Sequence, residues 1–235
     1  MRAAHSFANE KTLDGLSRTV RGAQTSLYGA AGRVMDSQMS SAPRTARRKP
    51  ESLGKIKKSA RKLFVERGYH ATRPQDIARE AGLGHGTFYL HYEDKHACFL
   101  AFVEDARTEL YGFIRGRLGE WRSLEELISR TLDAIYDYSD ANPGVLNAAM
   151  MDGAVIDAEG RREESLMQRL ARDWAEIVRM GARQETVADI YDPEIIGQAI
   201  VGAIHQCRLE SDRSGRRRGE VIDNLTRFLV RALRA

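Results

Sequence analysis

Gly82-Leu-Gly-His-Gly-Thr-Phe-Tyr-Leu-His-Tyr-Glu-Asp-Lys95 packs three glycines into its first five residues, yet it is rich in aromatic, histidine and hydroxyl side chains. The segments on either side read as helices. Upstream, apolar residues fall at 53, 56, 60, 63 and 64, one face of a helix that Gly68 stops. Pro74 then sits just inside a second helix, with Thr72 as its expected cap, Ile77, Ala78 and Ala81 facing inward, and Gly82 at its end. The quoted stretch is therefore a third, short helix, and Asp94 is placed to cap a fourth.

Two helices joined by Ala81-Gly-Leu-Gly84, the second of them short, make a helix-turn-helix pattern. Gly82 supplies the positive φ of the turn, and Leu83 fills the angle between the helices. Such a unit lays its second helix in the major groove of DNA. Thr87 and Tyr89 then offer hydroxyls to phosphates or base edges. His91 and Lys95 offer donors to the backbone, and Gly86 allows close approach. His85, His91 and His96 do not share a helical face with an acid, so no metal site is expected. Phe88 and Tyr92 are expected to pack.

Residues 57–102, "KKSARKLFVERGYHATRPQDIAREAGLGHGTFYLHYEDKHACFLAF", resemble the DNA-binding domain of TetR-type transcriptional regulators. The resemblance covers about 50–110. It rests on Leu63-Phe64, Gly68-Tyr69, Ile77-Ala78, Ala81-Gly82-Leu83, Gly86-Thr87-Phe88-Tyr89, His91-Tyr92 and Lys95. It implies a helix-turn-helix at 73–92, with Gln75, His85, Thr87, Tyr89, His91 and Lys95 facing double-stranded DNA. Two positions depart from the family pattern. Gly84 stands where a capping serine is common, so the third helix starts less firmly, and His96 replaces a usual acid.

Charge and composition agree with a nucleic-acid partner. The chain has 235 residues, 42% hydrophobic and 30% charged, with net charge +4. Residues 1–97 carry 18 Lys and Arg against 9 Asp and Glu, whereas residues 98–235 carry 19 against 24. A basic front on an acidic remainder suits a polyanion-binding module joined to something else. No apolar run reaches the roughly 18 residues of a membrane span, and no secretory signal pattern is present. Cys98 and Cys207 stand far apart. A cytoplasmic protein without membrane partner or cofactor is expected.

Residues 1–49 read as a mostly disordered basic tail, in which Arg44, Arg47, Arg48 and Lys49 are placed to reach the minor groove or phosphates. A chain beginning at Met39 would carry a short basic arm typical of the family, so some or all of the first 38 residues read as an over-extended start. All five prolines are read as lying at boundaries or in the tail.

The fold expected is all-α: a three-helix DNA-binding domain over 50–110 and a helical ligand-binding and dimerisation domain over 111–235. Ser123-Leu-Glu-Glu126 is a capping box. Residues 145–160 suggest a short helix and a loop, and a long helix is expected from about Arg161 to Met180. Further helices are expected at about 193–211, with Ile196, Ala199, Ile200, Ala203, Ile204 and Cys207 inward, and at 217–233, burying Val221, Leu225, Phe228 and Leu229. The resemblance implies that these last two pair with a second copy, so a homodimer would read a pseudo-palindrome. Tyr111, Tyr136, Met150, Met151, Trp174 and Met180 are candidates for an apolar pocket holding a small-molecule effector, or equally for ordinary core. An architectural DNA-binding protein is the alternative function. A small helical enzyme is the weakest, because no nucleophile–base pair, phosphate loop or metal cluster appears at usable spacing.

Overall fold

The computed structural model describes residues 44–119, 121–151, 164–183 and 186–234, with side chains from residue 50 onward apart from that of Met151. Among them are nine helices and no strand: α1 (Arg44–Ala71), α2 (Pro74–Glu80), α3 (Gly86–Tyr89), α4 (Lys95–Leu118), α5 (Leu124–Ala141), α6 (Val145–Met151), α7 (Leu166–Arg183), α8 (Pro193–Ser214) and α9 (Arg218–Leu233). None is long and apolar enough to cross a membrane. The expected translation start and the loop after Met151 fall outside the described residues, and α7 begins at Leu166, after the non-helical Glu164 and Ser165, rather than continuing from Arg161 as expected.

Two compact units divide the chain: one holds 44–109 and 139–166, the other 110–138 and 167–234. In the first, α1 starts at Arg44 and runs through Pro50, contrary to the reading of 44–49 as part of a mostly disordered tail and of every proline as lying at a boundary or in that tail. A proline there forfeits one backbone hydrogen bond but need not end the helix when the remainder is well packed. Ile56, Ala60, Leu63 and Phe64 are buried as their spacing predicts. Phe64 meets Phe99 edge-on at 5.1 Å and Phe102 at 5.6 Å, an arrangement aromatic rings favour. Gly68 breaks the helical path at φ 77°.

Thr72 is not the cap of α2. It is fully buried, and its hydroxyl donates back to the carbonyls of Gly68 at 2.8 Å and Leu63 at 3.2 Å. The N-cap of α2 is Arg73, without a side-chain hydrogen bond. The hydroxyl goes to α1 because the Gly68 break leaves carbonyls there unsatisfied and buried. Polar links complete this unit. Lys57 pairs with Asp105 at 2.8 Å, and Arg61 grips both Glu109 oxygens and donates to Asn142 at 2.6 Å.

The second unit has a core of Ile128, Leu132 and Tyr136 from α5, Trp174 and Val178 from α7, Ile200 and Ile204 from α8, and Ile222, Leu225 and Leu229 from α9. The capping box is present with a shift: Ser123 caps Glu126 N–H at 3.1 Å, while Glu126 reaches the N–H of Arg122 at 2.7 Å. Asp192 caps α8 through Glu194 and Ile195, and Gly215 closes it at φ 64°. Two expectations for α8 and α9 fail, because Ala199 is exposed and Phe228 is 63% exposed. Both helices carry apolar residues on two faces, and only one face meets this core.

Candidate nucleic-acid interface

The joint between α2 and α3 is built as its sequence requires. Ala81 closes α2, Gly82 takes φ 67°, the Gly82 N–H donates to Arg79 O at 3.0 Å and the Leu83 N–H to Ala78 O at 2.9 Å. This paired bonding satisfies the orphan carbonyls of the helix end and needs a residue free to adopt positive φ. α3 is then a single turn. Its N-cap is His85, one residue beyond Gly84, where the cap was expected, and makes no side-chain cap bond; Thr87 N–H bonds to Gly84 O at 2.8 Å.

A turn this short has no stability of its own. It is held by Phe88, fully buried against Tyr92 at 5.8 Å, and by Asp94, which accepts from Ala97 N–H at 2.7 Å to open α4. Burial raises the Tyr92 hydroxyl pKa above its usual value, and pushes the Cys98 thiol up to about 12, leaving that thiol unreactive.

With Phe88 inward, the other side of the turn is free of the core. Gln75, His85, Gly86 and Tyr89 are exposed, and Thr87 is half-buried. Tyr89 is 50% exposed and stands edge-on to His85 at 5.3 Å. Both Gly86 and Gly82 face open space. Leu90, 67% exposed, was passed over in the sequence because an apolar residue there reads as core. Arg73, exposed at the start of α2, was passed over as a lone charge.

Two expected residues are turned toward α1. His91 Nε2 lies 2.8 Å from Ser52 Oγ, and Lys95 Nζ donates to Tyr69 O at 2.9 Å. Both remain half-buried at the margin of the exposed turn. The side chains of Arg47, Arg48 and Lys49 lie outside the described set.

The effector candidates separate. In the second unit Tyr111, Tyr136 and Trp174 are buried and Met180 is half-buried. Tyr111 donates to the Asp173 carboxylate, and the Arg218 guanidinium lies 5.5 Å from the Tyr136 ring. Met150 belongs to the first unit, half-buried, and the Met151 side chain is outside the described set. Between α8 and α9 an open groove of about 460 Å³ is lined by Ala203, Cys207, Val221, Leu225 and Phe228 with Gln206 and Asn224.

Comparison with known proteins places this geometry. Residues 56–102 match the description "Bacterial regulatory proteins, tetR family". The HTH-type transcriptional regulator YvdT of Bacillus subtilis is 36% identical over 81 residues, covering 33% of this chain and 42% of that protein. The chain spans about half the length, or less, of such curated relatives. Two solved structures share the fold. A tetR-family regulator from Shewanella sp. PV-4 has TM-score 0.64, 21% identity, and covers 78% of this chain and 98% of that one. The fatty acid degradation regulator FadR from Bacillus halodurans has TM-score 0.63, 16% identity, and covers 76% and 94%.

Proposed function

We propose, starting from its membership of the tetR family of bacterial transcriptional regulators through the helix-turn-helix within residues 56–102, that this protein is a repressor binding a pseudo-palindromic operator as a homodimer. The observation that carries the DNA reading is the one-turn α3, anchored by buried Phe88, with His85, Tyr89 and Leu90 turned outward. Hydroxyl, imidazole and methyl groups at that position suit base edges and the thymine methyl. Gln75, Thr87, His91 and Lys95 lie around it and serve register as well as reading, with Arg47, Arg48 and Lys49 as an added basic arm.

The groove between α8 and α9, with Phe228 exposed at its edge, supports self-association, since large apolar surface left in water marks an interface. A two-fold dimer would set its reading helices about 34–36 Å apart, one turn of DNA. The release step calls for a small apolar or aromatic effector in the second unit, near Tyr111, Tyr136, Trp174 and Met180. The ligand acts only through its differential affinity for the two dimer states. One structural neighbour is named for fatty acid degradation, in keeping with an apolar ligand.

Fluorescence anisotropy on DNA from the protein's own upstream region, against scrambled duplex at about 150 mM salt, tests the reading. A preference of about a thousandfold is expected. Equal, steeply salt-dependent binding to selected and scrambled duplexes alike, after selection from a random pool, would establish an architectural protein instead.

A further inference from the structure

A second cavity of about 470 Å³ lies between the first turns of α5 and one face of α9, away from the groove described above. On α9 its lining falls at 223, 226, 227, 230 and 231, spacings of three and four that define a single helical face, and Arg234, the extended residue that caps the helix end, completes it. The residues that line the α8 groove, 221, 224, 225 and 228, occupy another.

Arginine dominates this face. Arg227, Arg231 and Arg234 are exposed, and among the described residues no acid lies within ion-pair distance of any of them. Arg130, also in the wall, is already committed to Leu118 O at 2.8 Å and to Glu126 at 3.3 Å. Glu126 in turn accepts from Arg122 N–H, so Glu125 and Asp223 are the acids left facing three arginines. Thr226 adds an independent sign. It lines the same cavity, is only 5% exposed, and its hydroxyl is buried without a hydrogen-bond partner. Such a hydroxyl is costly in a folded protein unless something satisfies it.

We propose that this cleft binds a small oxyanion-bearing molecule, an organic phosphate or a polycarboxylate. Arg227, Arg231 and Arg234 hold the anionic group, the Thr226 hydroxyl donates to it, and Glu125 and Asp223 accept from hydroxyl groups elsewhere on the ligand. Guanidinium groups suit this task because their planar fork meets two oxygens at once. The volume falls within the range of small-molecule sites. A ligand held by both α5 and α9 stabilises the folded state by mass action.

The test uses the full chain, titrated calorimetrically and by thermal shift with pyrophosphate in one arm and citrate in the other, ionic strength being held constant with chloride. Saturable binding at one ion per chain with a rise in Tm is expected in at least one arm, and the stronger arm identifies phosphate or carboxylate. The pair Arg227→Ala with Arg231→Ala should weaken binding about tenfold or more. Arg216→Ala with Arg217→Ala removes the same charge from the exposed turn ahead of α9 and should leave binding unchanged. Since all four arginines are exposed, both variants should keep the parent circular dichroism. Absence of saturable binding in both arms overturns the proposal. Equal weakening by the two pairs also overturns it, since that marks an adventitious ion only.

Discussion

Lys95 and Tyr69 are joined twice: the ammonium donates to the Tyr69 carbonyl at 2.9 Å and lies 4.1 Å from the centre of its ring. The contact ties the first residue of α4 to the end of α1, just past the break at Gly68. Lys95→Ala should therefore cost about 1 kcal/mol of stability through the lost cation–π contact and hydrogen bond. If the ammonium also serves a phosphate, binding weakens alike on all duplexes and the salt slope drops by about one. Urea unfolding and anisotropy at several salt concentrations read the two effects separately. An unchanged slope would confine Lys95 to holding the helices.

Gly197 fixes how closely α8 approaches α7. A Cβ there would stand 2.1 Å from the Ala171 carbonyl oxygen and 3.0 Å from the Ala175 nitrogen, both backbone atoms that cannot swing aside. Gly197→Ala should destabilise the protein by about 3 kcal/mol or more. Gly202, on the same helix, faces open space, so Gly202→Ala should gain up to about 1 kcal/mol from helix propensity. Chemical denaturation of the two variants checks the contrast, and equal effects would refute the close-packing argument.

Phe228 is the natural probe of self-association. Being 63% exposed, it contributes little to its own unit's core. Phe228→Ser should leave helicity and the monomer's packing intact, yet convert the protein to monomer in sedimentation at micromolar concentration. Operator affinity should fall with it, because each half-site would then be bound alone. A dimer that survives the change would place the interface elsewhere.

His205 predicts the pH response of stability. Burial first, and then the Arg208 guanidinium, hold its imidazole below the ordinary histidine value, and its Nδ1 is buried without a partner. Folding thus favours the neutral ring. As pH falls below about 6.5 the unfolded chain takes up the proton before the folded one does. The contribution is fully present above that pH and is lost as pH drops toward the folded-state value. His205→Gln should flatten this acid-side decline in denaturation midpoints measured across pH, and an unchanged profile would assign the decline to other groups.

The helix-turn-helix was legible because local chemistry decides it. A tight turn needs positive φ, only Gly82 offers it cheaply, and the neighbouring apolar spacing admits one inward face. Thr72 was misread for a related reason. A threonine two residues ahead of Pro74 has the pattern of a cap, but the carbonyls it serves are exposed by a break at Gly68 whose three-dimensional path the spacing does not carry. Phe228 and Ala199 were misassigned because periodicity shows that a helix has an apolar face without saying which body that face meets. Charge counts misled in a quieter way. Lys57, Arg61 and Lys62 are all paired with acids in their own unit, so part of the basic excess of the front half is spent on internal links.

The four-residue α3 has a consequence for how such a protein diversifies. Its supports are Phe88 beneath it, the Gly82 turn before it and the Asp94 cap after it, and none of these is among the outward residues His85, Tyr89 and Leu90. Foundation and address are thus written in different positions of one turn. The outward letters can be exchanged while the foundation stays as it is, so new binding preferences are open to this chain without a new fold.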